Sequence, residues 1–304
     1  MTCDLTNPIF TNEAAATAHM EADRWPTEVT CPLCGVVGDA TKMGGKTQAG
    51  MFLCNSCRGK FTVRTGTVFE RSHIPVHKWL LALELMASSK KGISAHQLHR
   101  MLGITYKSAW FMAMRIREAM APAKNAGPLG GEGKIVEADE LYTGHRKGWP
   151  VKRGSGYHKM SVVSLVERGG RARSFHIENA PDVLTVNRLV AENVLPETQL
   201  HTDESSLYRE VKKHVAKHAK VNHSRKEYAR GDVTTNSVEG YFSVFERGMV
   251  GVYQHVSEQH LHRYLAEFDF RQSNRAKLGI EDATRANRIL KGAENKRLTY
   301  RQVG

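Results

Sequence analysis

The sequence predicts an α/β protein in which a mixed sheet flanked by helices follows a cysteine-rich module and a helical region. Two pairs of cysteines between positions 31 and 57 mark the first module, and helical periodicity dominates residues 75–120. From Lys134 onward, alternating and apolar runs predict strands interleaved with amphipathic helices. These three observations divide the chain into regions with separate structural roles.

The chain is strongly basic. Its 304 residues include 44 Lys+Arg against 31 Asp+Glu, a net charge of +13. A field of this sign favours polyanionic partners, most commonly nucleic acid, because neutralising phosphates releases counterions. No run approaches the roughly 18 to 20 apolar residues of a membrane span, and the N-terminus lacks the pattern of a secretory signal. We therefore expect a cytoplasmic, nucleoid-associated protein without membrane contact.

Shifts in composition predict six segments. The Pro/Gly-rich stretch over 121–133 favours neither helix nor strand, so it separates the helical region from the sheet region. The expected segments are an N-terminal arm (1–28), a cysteine-rich module (29–70), a helical domain (71–120), a linker (121–133), a sheet domain (134–275) and a basic C-terminal tail (276–304).

The order of elements in the sheet domain is informative. Strands are predicted over 134–142, 158–166 and 171–178, with a hairpin turn before the third strand. The elements that follow are a helix starting at Asp182, a strand ending at Asp203, a helix over 205–216, a short strand over 219–223, a helix carrying Glu239 and a helix over 258–270. The order β-β-β-α-β-α-β-α is that of the RNase H fold, an analogy at the level of pattern.

Four cysteines form a CxxC…CxxC pattern with 19 residues between the pairs: Cys31, Cys34, Cys54 and Cys57. Two residues between thiols let both sulfurs of a tight turn reach one ion, and two such turns complete a tetrahedral site. Disulfides are disfavoured by a reducing compartment, and a redox pair is disfavoured by the presence of two matched pairs. We therefore predict a zinc ribbon with one structural Zn²⁺, and an inert thiol at Cys3. The ribbon's basic surface suits either DNA or protein.

Residues 75–120 are predicted to form three helices. Ser94 is expected to cap a short helix, Gly103 to form a turn, and Thr105 to cap a longer helix. This arrangement is typical of helix-turn-helix units that read DNA, although a plain three-helix packing unit is the alternative. In the first interpretation, the DNA-contacting residues are Tyr106, Lys107 and Ser108 in the major groove and Arg115 and Arg117 near phosphates.

Three acidic residues carry the predicted chemistry. Asp139 lies in the first strand of the sheet domain, Asp203 ends the fourth, and Glu239 lies in the first turn of a later helix. Converging carboxylates are what two hard divalent cations require. We predict that the three residues are catalytic and hold two Mg²⁺ (or Mn²⁺) ions about 3.5–4 Å apart, which would activate a water or 3′-hydroxyl and stabilise the leaving oxygen. Taken singly, Asp203 could instead cap a helix.

Two of these acids have local rivals or alternatives. Asp139 could be a strand-edge charge, with Glu137 on the same face and Glu140 beside it as competitors. Glu239 lies three residues after Asn236, which is the spacing of a capping box. Only the placement of all three acids on strands and a helix in this order favours a common site.

Eight short motifs occur in a fixed order: Cys31-Pro-Leu-Cys-Gly35, Arg64-Thr-Gly-Thr-Val-Phe69, Val136-Glu-Ala-Asp-Glu140, His201-Thr-Asp203, Val221-Asn-His-Ser224, Thr235-Asn-Ser-Val-Glu-Gly240, Tyr253-Gln-His-Val-Ser257 and Arg263-Tyr-Leu-Ala-Glu-Phe268. In these motifs the chain resembles bacterial insertion-sequence transposases of the DDE type. The particular group is the ISXO-type group, which has an N-terminal zinc ribbon and an integrase-like core. The resemblance runs from about Val29 to Arg275.

The resemblance implies that the three acids are the catalytic triad of an enzyme that cleaves transposon ends and transfers the 3′-hydroxyl to target DNA. It also implies a homo-oligomer acting on double-stranded DNA, with Asn236 and Arg247 among the DNA contacts. Members of this group usually carry Lys-Arg two turns after the third acid, where this chain has Glu246-Arg247. Two rivals remain: a domesticated, catalytically silent DNA-binding protein, and a nuclease with the same core but no strand transfer.

Overall fold

A computed structural model describes residues 4–44, 49–123, 125–151 and 158–299. Cys3 and the last five positions of the expected C-terminal tail lie outside these residues. The α-helices are α1 (Glu13–Arg24), α2 (Val76–Ser88), α3 (Ala95–Leu102), α4 (Tyr106–Met120), α5 (Val183–Asn193), α6 (Asn236–Gly248), α7 (Glu258–Ser273) and α8 (Asp282–Lys291).

The strands are β1 (Ala40–Lys42), β2 (Phe52–Cys54), β3 (Lys60–Phe61), β4 (Ile135–Thr143), β5 (Met160–Glu167), β6 (Ala172–Ile177), β7 (Gln199–Thr202), β8 (Lys217–Lys220), β9 (Ala229–Arg230) and β10 (Val233–Thr234). The chain folds into two compact units. The first comprises residues up to Ser89, Ile93–Ala121 and residues from Ile280 onward, and the second comprises Lys90–Gly92 and Pro122–Gly279.

The first unit contains the cysteine-rich module and the predicted three helices. Strands β1, β2 and β3 form a small antiparallel sheet, and α2, α3 and α4 confirm the three helices expected over 75–120. Residues 280–299, which the sequence assigned to a basic tail, also belong to this unit, and α8 packs against α2 and α4. The buried Arg285 contributes to this packing by donating to the carbonyl oxygen of Ala87 (3.0 Å).

The second unit is built on a mixed sheet in the order β6-β5-β4-β7-β8. Strands β4, β5 and β6 are antiparallel neighbours, whereas β7 and β8 run parallel to β4. One face of the sheet packs against α5 and the other against α6 and α7. Because both faces are covered, β5 is buried along its whole length. The predicted mixed sheet flanked by helices is confirmed.

The prediction of a helix over 205–216 is wrong. Two short 3₁₀ turns, Ser206–Tyr208 and Val211–Lys213, occupy this stretch. Tyr208 and Val211 are fully buried beneath the α5 face of the sheet, and the Tyr208 hydroxyl donates to a carboxylate on β4 (2.9 Å). Helical spacing in the sequence could not reveal this tertiary bond, which determines the conformation of the segment.

A buried carboxylate lies between the sheet and α7. Asp269 is 7% exposed, and it accepts hydrogen bonds from the Ser174 backbone N–H (2.8 Å), the Ser174 hydroxyl (2.7 Å) and the Tyr241 hydroxyl (2.7 Å). Burial raises the pKa of the Asp269 carboxyl to about 6, and these hydrogen bonds oppose the rise only in part. Between pH 3.8 and about 6 the Asp269 carboxyl keeps its proton in the folded chain, whereas in the unfolded chain it loses the proton near its ordinary pKa of 3.8.

We expect Asp269→Asn to gain stability relative to the parent as pH rises from 3.5 to 7. The pKa of Asp269 is higher in the folded chain than in the unfolded chain. The free energy of unfolding of the parent therefore falls as pH rises from the unfolded pKa to the folded pKa, by about 3 kcal/mol in total. Urea unfolding of both proteins across this range measures the difference. Asp182→Asn is the control with the opposite trend, because hydrogen bonds from Thr185 lower the pKa of Asp182. A pH-independent difference for Asp269→Asn would contradict the expectation.

Candidate active site

The four cysteine sulfurs lie together in the first unit. The Sγ atoms of Cys31, Cys34, Cys54 and Cys57 are all within 4.8 Å of one another. The separations are 3.9 Å between Cys31 and Cys57 and 3.7 Å between Cys34 and Cys54. Sulfurs bound tetrahedrally about 2.3 Å from zinc are about 3.8 Å apart, so the spacing and the ligand type fit Zn²⁺. The geometry supports the predicted structural zinc site.

The zinc site organises a small aromatic cluster. Phe52 and Phe61 stack with their ring centroids 5.6 Å apart, and Trp25 packs edge-on against both, at 5.4 and 5.9 Å. Cys31 and Cys54 are buried in the same cluster. Such a small hydrophobic core contributes little to the stability of a separate fold, so the ribbon needs a bound metal ion to stay folded.

Helices α3 and α4 have the predicted caps and turn. The Ser94 hydroxyl accepts from the Gln97 N–H, and the Thr105 hydroxyl accepts from the Ser108 N–H. Gly103 ends α3 with a φ of +58°, a left-handed conformation that favours glycine. The predicted caps and glycine turn are therefore present, an arrangement shared by a DNA-reading helix-turn-helix unit and a plain three-helix packing unit.

The candidate DNA-contacting residues of α4 divide into two groups. Tyr106 and Lys107 are exposed, and the Tyr106 ring stacks on His96 at 4.2 Å. In contrast, Arg115 and Arg117 are only 9% and 2% exposed. The Arg115 guanidinium donates to the Glu70 carbonyl oxygen (3.0 Å) and lies over the Phe111 ring.

The expectation that Arg115 and Arg117 meet phosphates therefore needs correction. Both side chains are buried, because every residue of α4 from Met112 to Arg117 is buried, whichever side of the helix it lies on. The polar surface around this turn is formed by Lys107, with His96 and Arg100 exposed on α3. Ser108 is half-buried in the first turn.

Asp139 lies in the middle of β4, on the face covered by α6. It pairs with Ser164 of β5, and its Oδ1 accepts the N–H of Glu140 (2.8 Å). The adjacent Glu140 points to the opposite face, where the hydroxyls of Ser205 (3.1 Å) and Tyr208 (2.9 Å) donate to its two oxygens. The alternation of a strand thus separates Asp139 from one of its two competitors.

Asp203 follows the last residue of β7. The parallel pairing of β4 and β7 ends with His201 beside Glu137, and Asp203 and Asp139 each lie two residues beyond this last pair. Asp203 Oδ1 accepts the N–H of Ser205 (2.9 Å), so the residue does shape the turn that follows it.

Glu239 lies in the first turn of α6, and its side chain is 44% exposed. The Thr235 hydroxyl donates to its Oε1 (2.6 Å), and His223 Nε2 lies 3.7 Å from the same oxygen. A capping box starting at Asn236 is not what the structure has. Thr235 occupies the cap position, and the Ser237 and Val238 N–H groups donate instead to Glu137 of β4.

Three other carboxylates contribute to the electrostatic environment of Asp139. Burial, together with the negative charges of Glu140, Asp203 and Glu239, raises the pKa of Asp139 to about 7. Within the described residues, the four cysteines are the one group of three or more His, Cys, Asp or Glu residues whose metal-ligand atoms all lie within 4.8 Å of one another. A site for two Mg²⁺ ions does not require all of its ligand atoms to lie within 4.8 Å of one another. The ions are about 3.5–4 Å apart and each lies about 2.0–2.1 Å from its ligands, so carboxylates that bind different ions are farther apart. An all-oxygen donor set with excess negative charge fits these ions.

Sequence reasoning missed the roles of Glu137 and Arg168. Glu137 is fully buried. Arg168, in the turn between β5 and β6, forms an ion pair with the Glu137 carboxylate (2.9 Å). Glu137 had been considered only as a rival to Asp139 for the catalytic role. The signal that could have revealed its role is a second acid two residues before Asp139, on a face predicted to be covered.

The predicted DNA contacts of α6 lie at its two ends. Asn236 is exposed in the first turn. Glu246 is exposed seven residues after Glu239, which places it on nearly the same face of the helix. The Arg247 guanidinium donates to the carbonyl oxygen and hydroxyl of Ser243, both at 2.8 Å, so it lies along its own helix.

Comparisons with known proteins agree with the two regions of the chain. Residues 128–273 match the family described as the ISXO2-like transposase domain, and residues 11–60 match the transposase zinc-ribbon domain. An uncharacterized protein in transposable element ISH50 of Halobacterium salinarum is 28% identical over 289 residues, covering 90% of this chain and 95% of that protein. Within the described residues, none of the helices has the length and apolar character needed to cross a membrane.

Proposed function

We propose that the chain cleaves DNA at insertion-sequence ends and joins the freed 3′-hydroxyl to target DNA, because residues 128–273 match the ISXO2-like transposase domain and residues 11–60 match the transposase zinc-ribbon domain. The proposal is supported by the positions of three carboxylates on β4, directly after β7 and in the first turn of α6, of which Asp203 and Glu239 raise the pKa of Asp139 through their charge. The domain matches support transposition in general, and the specific reaction is proposed for these three residues.

Each carboxylate has a definite part in this proposal. Asp139 comes from β4 and Asp203 directly follows the parallel strand β7, so both are held at the sheet. Glu239, on the more exposed helix turn, closes the site from the side where a DNA strand can approach. When bound there, Mg²⁺ would activate the attacking hydroxyl and neutralise the charge on the scissile phosphate. The protein's own contribution is to hold three acceptor groups in place.

Binding of DNA is supported by the net charge of +13 and by the helix-turn-helix geometry of α3 and α4. Glu246 opposes it locally, because an exposed carboxylate on the Glu239 face of α6 repels phosphates. We extend the proposal to a homo-oligomer that brings transposon ends together, which light scattering of the protein on end-sequence DNA would detect as more than one chain per complex.

The decisive experiment incubates the purified full chain with duplexes carrying the inverted repeats that flank its gene, a target plasmid and Mg²⁺. Transposase activity predicts nicked ends and end DNA covalently joined to the plasmid through the 3′-hydroxyl. Cleavage without joining would favour a nuclease. Specific binding of the ends without either reaction would favour a catalytically silent DNA-binding protein.

We expect Lys107→Ala to weaken binding to duplex DNA of any sequence and to reduce the slope of log affinity against log salt by about 1, the effect of losing one phosphate contact. Lys107 is exposed in the first turn of α4. Lys213→Ala is the matched control, since Lys213 is an exposed lysine of the second unit and lies outside α3 and α4. A parent-like salt slope for Lys107→Ala, measured by fluorescence anisotropy, would remove α4 from the interface.

A further inference from the structure

We propose that Glu137, held by Arg168, is the positioning residue that sets the distance between Asp139 and Glu239. Glu137 and Arg168 are called here the Glu137–Arg168 clamp. The inference rests on the proposed function, because it concerns how the same three carboxylates are arranged. Its basis is the set of hydrogen bonds around one buried side chain.

Both oxygens of the Glu137 carboxylate are occupied by donors. Oε2 accepts the backbone N–H groups of Ser237 (2.6 Å) and Val238 (3.1 Å). Oε1 accepts from the Ser237 hydroxyl (3.1 Å) and from two nitrogens of Arg168 (3.1 and 2.9 Å). The side chain is 0% exposed, so these bonds replace its entire hydration.

The clamp supplies the N-terminal cap that α6 lacks. Thr235 stands at the cap position, and its side chain makes no capping hydrogen bond. The first N–H groups of a helix have no partner within the helix, and a negative charge there also complements the helix dipole. Here that charge comes from a strand of the sheet. The start of α6 is therefore tied to β4, not to its own preceding loop.

Arg168 extends the same connection to the hairpin that leads into α6. Its Nη1 donates to the carbonyl oxygen (3.1 Å) and carboxylate (2.8 Å) of Asp232, and its Nη2 donates to the Thr234 hydroxyl (3.0 Å). Asp232 and Thr234 lie at the turn and last strand of the β9–β10 hairpin. One guanidinium thus joins the β5–β6 turn, Glu137 and this hairpin.

Position in the chain connects the clamp to the catalytic carboxylates. Glu137 lies two residues before Asp139 on the same face of β4, and Val238 immediately precedes Glu239. Loosening the bond between Glu137 and the first turn of α6 would let Glu239 move relative to Asp139. A displacement of about 1 Å at a reacting centre can cost about 10²-fold in rate, and loss of an outer partner typically costs 10–100-fold in metal affinity.

Glu137→Gln is the informative substitution. Glutamine keeps the shape but replaces one acceptor oxygen by an NH₂ group, so either Arg168 or the α6 N–H groups would face a donor. Glu267→Gln is the matched control. Glu267 is also 0% exposed and bonded to an arginine, Arg271, but its partners Arg271 and Tyr253 lie outside β4 and the first turn of α6.

The first readout is Mn²⁺ binding to the full-chain protein, followed by electron paramagnetic resonance of the free ion. We expect Glu137→Gln to bind Mn²⁺ 10–100-fold more weakly than the parent, and Glu267→Gln to stay within about threefold. The metal concentration for half-maximal DNA joining should shift by the same factors. Unchanged Mn²⁺ affinity in Glu137→Gln, or an equal loss in Glu267→Gln, would overturn the positioning role.

A milder variant keeps the test decisive if Glu137→Gln does not fold, as judged by near-ultraviolet circular dichroism. Ser237→Ala removes only the 3.1 Å bond from the hydroxyl to Glu137 and leaves both backbone donors in place. We expect a shift of about threefold in Mn²⁺ affinity in the same direction, and no shift would reject the inference. A parent that neither binds Mn²⁺ nor joins DNA would overturn the proposed function and this inference together. If the parent is active and Glu137→Gln equals it in Mn²⁺ affinity and DNA joining, only the inference would be overturned.

Discussion

Asp203→Asn is expected to lose DNA cleavage and joining by at least about a thousandfold, while still binding transposon ends. Asparagine keeps the size and the hydrogen bond to the Ser205 N–H but removes the negative charge needed to hold a divalent ion. A thousandfold loss corresponds to about 4 kcal/mol of transition-state stabilisation. Single-turnover joining, with end binding measured in parallel, separates the lost chemistry from lost recognition.

The neighbouring pair Asp139 and Glu140 supplies the control. Asp139→Asn should be as inactive as Asp203→Asn, because its carboxylate faces the same site. Glu140→Gln should keep most of the activity, because its carboxylate lies on the opposite face and is bonded by Ser205 and Tyr208. If Glu140→Gln is the inactive protein and Asp139→Asn is not, the assignment of the catalytic strand residue is wrong.

Removal of zinc is expected to unfold the ribbon and leave the second unit folded. Cys57→Ser should lower the bound zinc from one ion per chain to none, as measured by elemental analysis. The ribbon has only a small aromatic cluster to stabilise it without the ion, whereas zinc contributes about 10–16 kcal/mol in isolated zinc-finger peptides. Limited proteolysis should then cut within residues 29–70 and spare a fragment that contains residues 128–273.

Cys3→Ser is the matched control for zinc removal, because Cys3 lies outside the CxxC pairs. This variant should retain one zinc ion per chain and the parent's proteolysis pattern. Zinc retained in full by Cys57→Ser would show that the four sulfurs do not share one ion.

Much of the architecture was predictable because it depends on local sequence. The spacing of the cysteines identified the zinc site, since two residues between thiols are dictated by the geometry of a turn around one ion. The strands that carry Asp139 and precede Asp203 followed from apolar periodicity, and the caps at Ser94 and Thr105 followed from residue type. These features require only neighbours along the chain.

Other features could not be predicted because they depend on residues far apart in sequence. The stretch 205–216 has helical spacing, yet the bond from Tyr208 to Glu140 and burial beneath the sheet produce two short turns. Arg115 and Arg117 resemble phosphate contacts in the sequence, but packing against other parts of the first unit buries them. Charge alone does not indicate which face of a helix is covered.

The three acids show the same division. The sequence by itself determined which residue types stand on which elements, because hydrophobic period and capping preferences are local properties. Only the tertiary structure decided that Asp139 faces α6 while Glu140 faces the other way, and that Glu137 rather than a capping box closes the start of α6. The physical reason is that a buried carboxylate must find its donors wherever the fold places them, and the Ser237 N–H that bonds Glu137 comes from a residue 100 positions away in the chain.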